Sequence, residues 1–170
     1  MESKVKILGH PLHPMLIPFP LGLLITSFVF DIVYLLTGNG IFAVVAFWMI
    51  AAGVIGGLVA AVPGMIDWLS IPYDTRARSV GQWHLIGNVA AIILFVVDWL
   101  LRAGEPWEPG AIAIILSVLG VVLLGVGGWL GGELVDRLGV AVDEGAHLDA
   151  PSALSGRPAS EGRTDTQRRG

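Results

Sequence analysis

The sequence contains no cysteine. The chain therefore forms no disulfide bond, holds no metal ion or iron–sulfur cluster through thiolates, and has no cysteine nucleophile. Charged residues are also scarce, since they make up 14% of the chain, where a soluble domain carries about a quarter. Basic residues do not collect into the face that nucleic-acid binding needs, so we expect no nucleic-acid partner.

The motifs of several large enzyme classes are missing as well. The sequence has no phosphate-binding loop, no Gly-x-Ser-x-Gly and no His-Glu-x-x-His. These motifs are typical of nucleotide-binding proteins, serine hydrolases and zinc peptidases. We therefore expect no catalytic residues, and the sequence does not identify an enzyme.

Apolar side chains are abundant: 54% of the residues are hydrophobic and the mean hydropathy is +0.75. A helix crosses the hydrocarbon core of a bilayer with about 20 largely apolar residues, and four stretches reach that length. The sequence thus predicts an all-α integral membrane protein, a bundle of four transmembrane helices at about 15–36, 41–63, 84–101 and 111–130. An N-terminal segment, 1–14, precedes this transmembrane domain, 15–131, and a closing segment, 132–147, follows it.

Lysine and arginine predict the orientation of the bundle, because they are enriched on the cytoplasmic side of membrane proteins. They lie before the first helix, between the second and third, and after the fourth, whereas only Arg102 lies on the other side. We therefore expect both termini in the cytoplasm. The last segment, 148–170, is rich in Ser, Gly, Pro and Arg and is too polar to bury a core, which predicts a disordered tail.

The two halves of the apolar region share a weak pattern. Phe28–Asp31 ends the first predicted helix much as Phe95–Asp98 ends the third, which suggests a tandem pair of two-helix units. Small residues recur four apart in the second and fourth helices, a spacing that lets helices approach closely in lipid. We expect them to pack inside the bundle; room for a flat cofactor, or a contact with another copy of the chain, are the alternatives.

Residues with chemical capacity collect at the predicted cytoplasmic helix ends. They are His10, His13, Asp67, His84, Asn88 and Glu133. One interpretation is a set of solvated helix ends, with Asp67 and Glu133 paired to nearby arginines. The other is a cofactor site: imidazole ligates haem iron and most transition metals, so His10 or His13 could face His84 across a b-type haem, or the three could bind iron or zinc, with Asp67, Asn88 and Glu133 in support.

A second polar group lies nearer the opposite end. Asp31 and Asp98 lie at similar depth in the first and third helices, and Arg102 follows Asp98 by one helical turn. We expect an ion pair between Asp98 and Arg102 with Asp31 facing the bundle interior. The alternative is a pair of proton-accepting carboxylates.

Several segments resemble the bacterial family known as domain of unknown function 2231. They are 9–14 (GHPLHP), 63–68 (PGMIDW), 131–135 (GGELV) and 139–142 (GVAV). The resemblance implies a four-helix protein of the bacterial inner membrane with no established activity. Some relatives are fused or adjacent to Rieske-type iron–sulfur domains, which implies redox chemistry. Relatives often carry a tyrosine and a histidine where this chain has Asp136 and Leu138.

The sequence leaves three functions open. The first is a small membrane redox component that binds a b-type haem or a transition metal and exchanges electrons with a redox protein. The second is a structural or accessory subunit that packs against other membrane subunits or its own copy. The third is a small transporter or channel, which the absence of a broken mid-membrane helix disfavours.

Overall fold

In the computed structural model, which describes residues 1–162, four helices are long and apolar enough to cross a membrane. The prediction of an all-α, four-helix membrane protein is confirmed. A two-stranded hairpin, β1 (Lys6–Ile7) and β2 (His10–Pro11), precedes the helices. The helices are α1 (Leu12–Leu16), α2 (Pro18–Thr37), α3 (Gly40–Leu69), α4 (Arg76–Arg102) and α5 (Ala111–Gly132), and a π-helical turn, Glu133–Arg137, extends α5.

The first span is divided between α1 and α2 at Ile17. Pro18 and Pro20 have no N–H to donate to the preceding turn, so the helical hydrogen bonds are interrupted there. Ile17 itself keeps helical dihedrals and its N–H still bonds to the His13 carbonyl. The backbone therefore stays helical at the interruption, and His13 lies four residues before it.

Two caps determine where α3 and α4 begin. The Asn39 side chain accepts a hydrogen bond from the Ile41 N–H, and the Thr75 side chain accepts one from the Arg78 N–H, as expected of helix N-caps. Helix α3 continues through Pro63 to Leu69, and α4 includes the polar stretch from Arg76 onward. Both helices thus extend beyond the apolar stretches that hydropathy identifies.

The bundle is built from two hairpins, since α2 packs mainly on α3 and α4 mainly on α5. The hairpins meet around a core of buried side chains: Leu24, Ile50, Val54, Ala91, Phe95 and Leu124. Equivalent positions in the two hairpins lie 67 residues apart: Leu24 packs over Gly53 in the first, and Ala91 and Gly120 occupy those positions in the second. This numbering agrees with the predicted tandem pair of two-helix units.

Gly120 provides a test of this packing. An added Cβ would lie 2.6 Å from a ring carbon of Phe95, which is fully buried. We expect Gly120→Ala to lower the free energy of unfolding by about 1–3 kcal/mol, because overpacking displaces the ring. Gly125→Ala, on the same helix with open space around it, should be neutral. Unfolding in mixed detergent micelles measures both, and equal stabilities would contradict the packing.

The two ends of the described chain meet at one end of the bundle, called here the terminal end. The Met1 ammonium donates to the Gly139 carbonyl, and Lys6 forms ion pairs with Asp143 and Glu2. These hydrogen bonds, that to Asp143 foremost, raise the pKa of Lys6. A 3₁₀ turn, Ala153–Ser155, lies beyond this contact. Of the tail predicted to be disordered, residues 163–170 lie outside the described residues.

Candidate functional site

His13 is held by the backbone of the neighbouring helix. Its Nδ1 lies 2.8 Å from the carbonyl oxygen of Ala60 on α3. A carbonyl oxygen can only accept, so Nδ1 carries the proton in this contact. In the neutral ring, Nε2 is then an unprotonated acceptor with its lone pair available.

His84 repeats this arrangement in the second hairpin. Its Nδ1 lies 2.9 Å from the carbonyl oxygen of Gly127 on α5, and the same reasoning leaves Nε2 as the free acceptor. Ala60 and Gly127 are 67 positions apart. The two histidines therefore bond to equivalent points of the two hairpins.

The space for each imidazole comes from a glycine four residues after the carbonyl. A Cβ on Gly64 would lie 2.6 Å from Nδ1 of His13, and a Cβ on Gly131 would lie 3.3 Å from Cε1 of His84. The small residues at 60 and 64, and at 127 and 131, thus pack inside the bundle, as expected. They accommodate a histidine ring in each hairpin, a role that their spacing alone does not reveal.

The two rings are neighbours. Their centres are 6.3 Å apart and their planes are nearly perpendicular, at 85°. Both residues are half-buried. Asn88, one turn along α4, donates to the His84 carbonyl and lies against Gly127, so it supports the helix that carries His84. The third candidate, His10, is exposed in β2.

The carboxylates at the terminal end have other partners. Asp67 accepts hydrogen bonds of 2.7 Å from the Ser3 hydroxyl and from the Lys4 N–H, so it fastens the N-terminal segment to α3. Glu133 pairs with Arg76 at 2.6 Å, as the solvated-end interpretation expects, whereas Asp67 is buried and bonds to Ser3 and Lys4 in place of the arginine that this interpretation gave it. Within residues 1–162, no group of three or more His, Asp or Glu side chains is placed to hold a metal ion.

At the opposite end, Arg102 is surrounded by both aspartates. Its Nη1 and Nη2 donate to the two oxygens of Asp31 at 2.6 and 2.8 Å, and its Nε donates to Asp98 at 2.7 Å. The Ser117 hydroxyl completes the group. All four side chains are buried. The expected Asp98–Arg102 pair is present, and Asp31 belongs to the same network.

Sequence reasoning missed Ser117, although a signal was available. Two aspartates at equal depth need hydrogen-bond donors. Ser117 is the only residue of Ala111–Gly132 with a hydroxyl group, and it lies near the start of that helix, at the level of the aspartates.

A known family matches most of the chain, including the part that carries these residues. The family described as "Predicted membrane protein (DUF2231)" matches residues 9–144, which include His13, His84 and the aspartate–arginine group. The chain belongs to the DUF2231 family. No curated protein and no solved structure matches it. The family name establishes a membrane protein of unknown function, and the four candidate spans agree with a location in a lipid bilayer.

Proposed function

We propose that this DUF2231 protein is a small membrane redox component in which His13 and His84 are the axial ligands of a b-type haem. The observation that carries the proposal is the neighbouring pair of imidazoles, whose ring centres are 6.3 Å apart. In each, Nδ1 is engaged by a backbone carbonyl and Nε2 is left free. That is the arrangement in which a histidine is oriented and made more basic for a metal.

The distance between the rings supports the proposal. A metal–imidazole bond is about 2.0 Å, and the ring centre lies roughly 1 Å beyond the nitrogen. Two imidazoles on opposite faces of one ion therefore have centres about 6 Å apart. The centres of His13 and His84 are 6.3 Å apart.

A haem accounts for this donor set better than an isolated metal ion does. A zinc site takes three or four protein ligands, whereas the porphyrin itself supplies four nitrogens and needs two from the protein. A transition-metal ion that keeps water ligands is the alternative occupant.

The residues around the pair have separate roles in this proposal. The carbonyls of Ala60 and Gly127 fix the tautomer and the ring orientation. Gly64 and Gly131 have no side chain and so leave space for the two imidazole rings. Asn88 steadies the His84 turn, while Asp67 and Glu133 hold the ends of the helices and do not act as ligands. When bound, the haem would supply one-electron transfer to a redox protein.

We further propose that the terminal end faces the cytoplasm of a bacterial inner membrane. Arg76, Arg78 and Arg137 all lie at that end, in line with the cytoplasmic enrichment of basic residues. Arg102, which lies at the opposite end of the bundle, is buried in its ion pairs. It therefore adds nothing to a charged outer surface there.

The visible absorption spectrum of the full chain, purified in detergent after expression with added haem precursor, tests the haem. We expect a Soret band that is strongly weakened or shifted in His13→Ala and in His84→Ala, because each variant loses one of the two side chains that would hold the haem. His10→Ala and His147→Ala, at histidines outside the four spans, are the matched controls and should keep the band. A protein with neither a Soret band nor stoichiometric metal by elemental analysis would overturn the proposal.

The accessory-subunit alternative depends on small-residue faces that are free for partner helices. Gly53 and Gly57 do not provide one, because added Cβ atoms there would lie 2.6 Å from Leu24 and Ile92 of the same chain. Substituting Gly57 would disturb the bundle itself. Cβ atoms added at Gly128 and Gly132 on the fourth span, by contrast, would meet no atom within 4 Å, so these two glycines leave such a face open. The transporter or channel alternative gains no observation that favours it.

A further inference from the structure

We propose that the buried group of Asp31, Asp98, Arg102 and Ser117 is a binding site for one proton, held on the Asp98 carboxyl. The site lies at the opposite end of the bundle from the histidines. It is therefore independent of the proposed haem.

The first argument is the balance of charge. Two carboxylates face one guanidinium, and the exposed fractions of Asp31, Asp98 and Arg102 are 0%, 0% and 1%. Fully ionised, the group carries one uncompensated negative charge away from water, which burial strongly disfavours. One bound proton makes the group neutral.

No other charged side chain on the four packed spans can supply the missing positive charge. Helix α2 carries only Asp31 and Tyr34 as ionisable residues, α3 carries none before Asp67, and α5 carries none. On α4, the next arginine is Arg78, 24 positions from Arg102, which is about 36 Å along a helix. His84, 18 positions away, is about 27 Å distant by the same measure.

The second argument is a count of donors around the Ser117 hydroxyl. Its oxygen lies 2.7 Å from Oδ2 of Asp98 and 3.1 Å from Oδ2 of Asp31. A hydroxyl has one proton and can donate to only one of these oxygens. With both carboxylates ionised, the other contact would bring the hydroxyl oxygen against a carboxylate oxygen with no proton between them. A proton on Oδ2 of Asp98 donates to Ser117, whose own proton is then free for Asp31, and both contacts become hydrogen bonds.

The third argument places the proton on Asp98. Arg102 holds Asp31 with two parallel bonds of 2.6 and 2.8 Å, the bidentate geometry that favours an ionised carboxylate. Asp98 receives one bond of 2.7 Å from Nε, while Nη2 is 3.3 Å from its other oxygen. That second oxygen is the one nearest to Ser117.

Infrared spectra of the full-length protein in detergent at pH 7, with and without ¹³C-labelled aspartate, test the proton directly. We expect a carboxylic-acid carbonyl band that shifts with the label. Asp98→Asn should lose it, and so should Asp31→Asn, because Asp98 then ionises to pair with Arg102. Asp67→Asn, at a carboxylate that accepts two hydrogen bonds, should keep it. A wild-type spectrum without the band, or a band that survives in Asp98→Asn, would overturn the proposal.

Melting temperatures locate the proton. The amide introduced by Asp98→Asn can accept from Arg102 and donate to Ser117 as the protonated acid does, so this variant should melt within about 2 °C of wild type. Asp31→Asn loses the bidentate pair and should melt lower. The double variant leaves Arg102 with no carboxylate and should melt about 10 °C lower or fail to accumulate. The reverse order of the two single variants would place the proton on Asp31 and overturn its assignment to Asp98.

Discussion

Replacing Arg102 with methionine is expected to lower the free energy of unfolding by about 3–5 kcal/mol, because it leaves the ionised carboxylate of Asp31 buried without its cation. Methionine keeps most of the apolar stem, so the loss is electrostatic and does not reflect a cavity. Asp31 would then have to take up a proton in the folded state, in addition to the one proposed on Asp98. Unfolding by titration with a denaturing detergent in mixed micelles measures the change, and a large fall in the amount of folded protein recovered should accompany it.

Arg76→Met is the matched control for this variant. Arg76 pairs with Glu133 at 2.6 Å, a distance like that between Arg102 and Asp31, but its side chain is 62% exposed. Exposed ion pairs contribute about 0–1 kcal/mol, so this variant should be nearly as stable as wild type. Equal losses in the two variants would show that burial of the Arg102 group does not determine its contribution.

The second large effect is expected at Gly64. Alanine there would place its Cβ 2.6 Å from Nδ1 of His13, so the imidazole must move off the Ala60 carbonyl. We expect the free energy of unfolding to fall by about 1–3 kcal/mol, because the added methyl group overpacks the site. Under the proposed function, the Soret band should also broaden or disappear, because the axial ligand is displaced. Unfolding in mixed micelles and the absorption spectrum of the same sample measure the two effects.

Gly131→Ala is the equivalent change in the other hairpin and serves as its control. Its Cβ would lie 3.3 Å from Cε1 of His84, a contact that a shift of a few tenths of an ångström relieves. This variant should lose less than about 1 kcal/mol and keep its spectrum. If Gly64→Ala and Gly131→Ala have the same stability, the difference between the two hairpins in the space beside the histidine ring is contradicted.

Hydropathy was sufficient to predict the architecture, because a membrane span is a long apolar stretch whatever its neighbours are. The level of His13 and His84 also follows from sequence, since both lie at helix ends on the same side. Their partners could not be predicted, because the Ala60 and Gly127 carbonyls are backbone atoms that every residue has. Only the geometry of the bundle shows which carbonyls are reached.

His10 illustrates a different limit. The sequence places it three residues from His13, which suggested a shared site. In the structure, Leu8 and Gly9 have positive φ angles of 50° and 83° and reverse the chain between β1 and β2. The turn leaves His10 exposed in a strand, while His13 lies in a helix. The two histidines therefore lie in different elements and differ in exposure, which their spacing along the chain does not reveal.

The interruption at Ile17 has a consequence for how the two hairpins compare. His13 precedes Asp31 by 18 residues, whereas His84 precedes Asp98 by 14. The difference of four is close to one helical turn, so both imidazoles still reach equivalent carbonyls. An ungapped alignment of the halves at 67 residues therefore misses the histidines, although it matches the aspartates. The four additional residues keep His13 on the side of its helix that meets Ala60 of α3, because one turn returns a side chain to nearly the same direction.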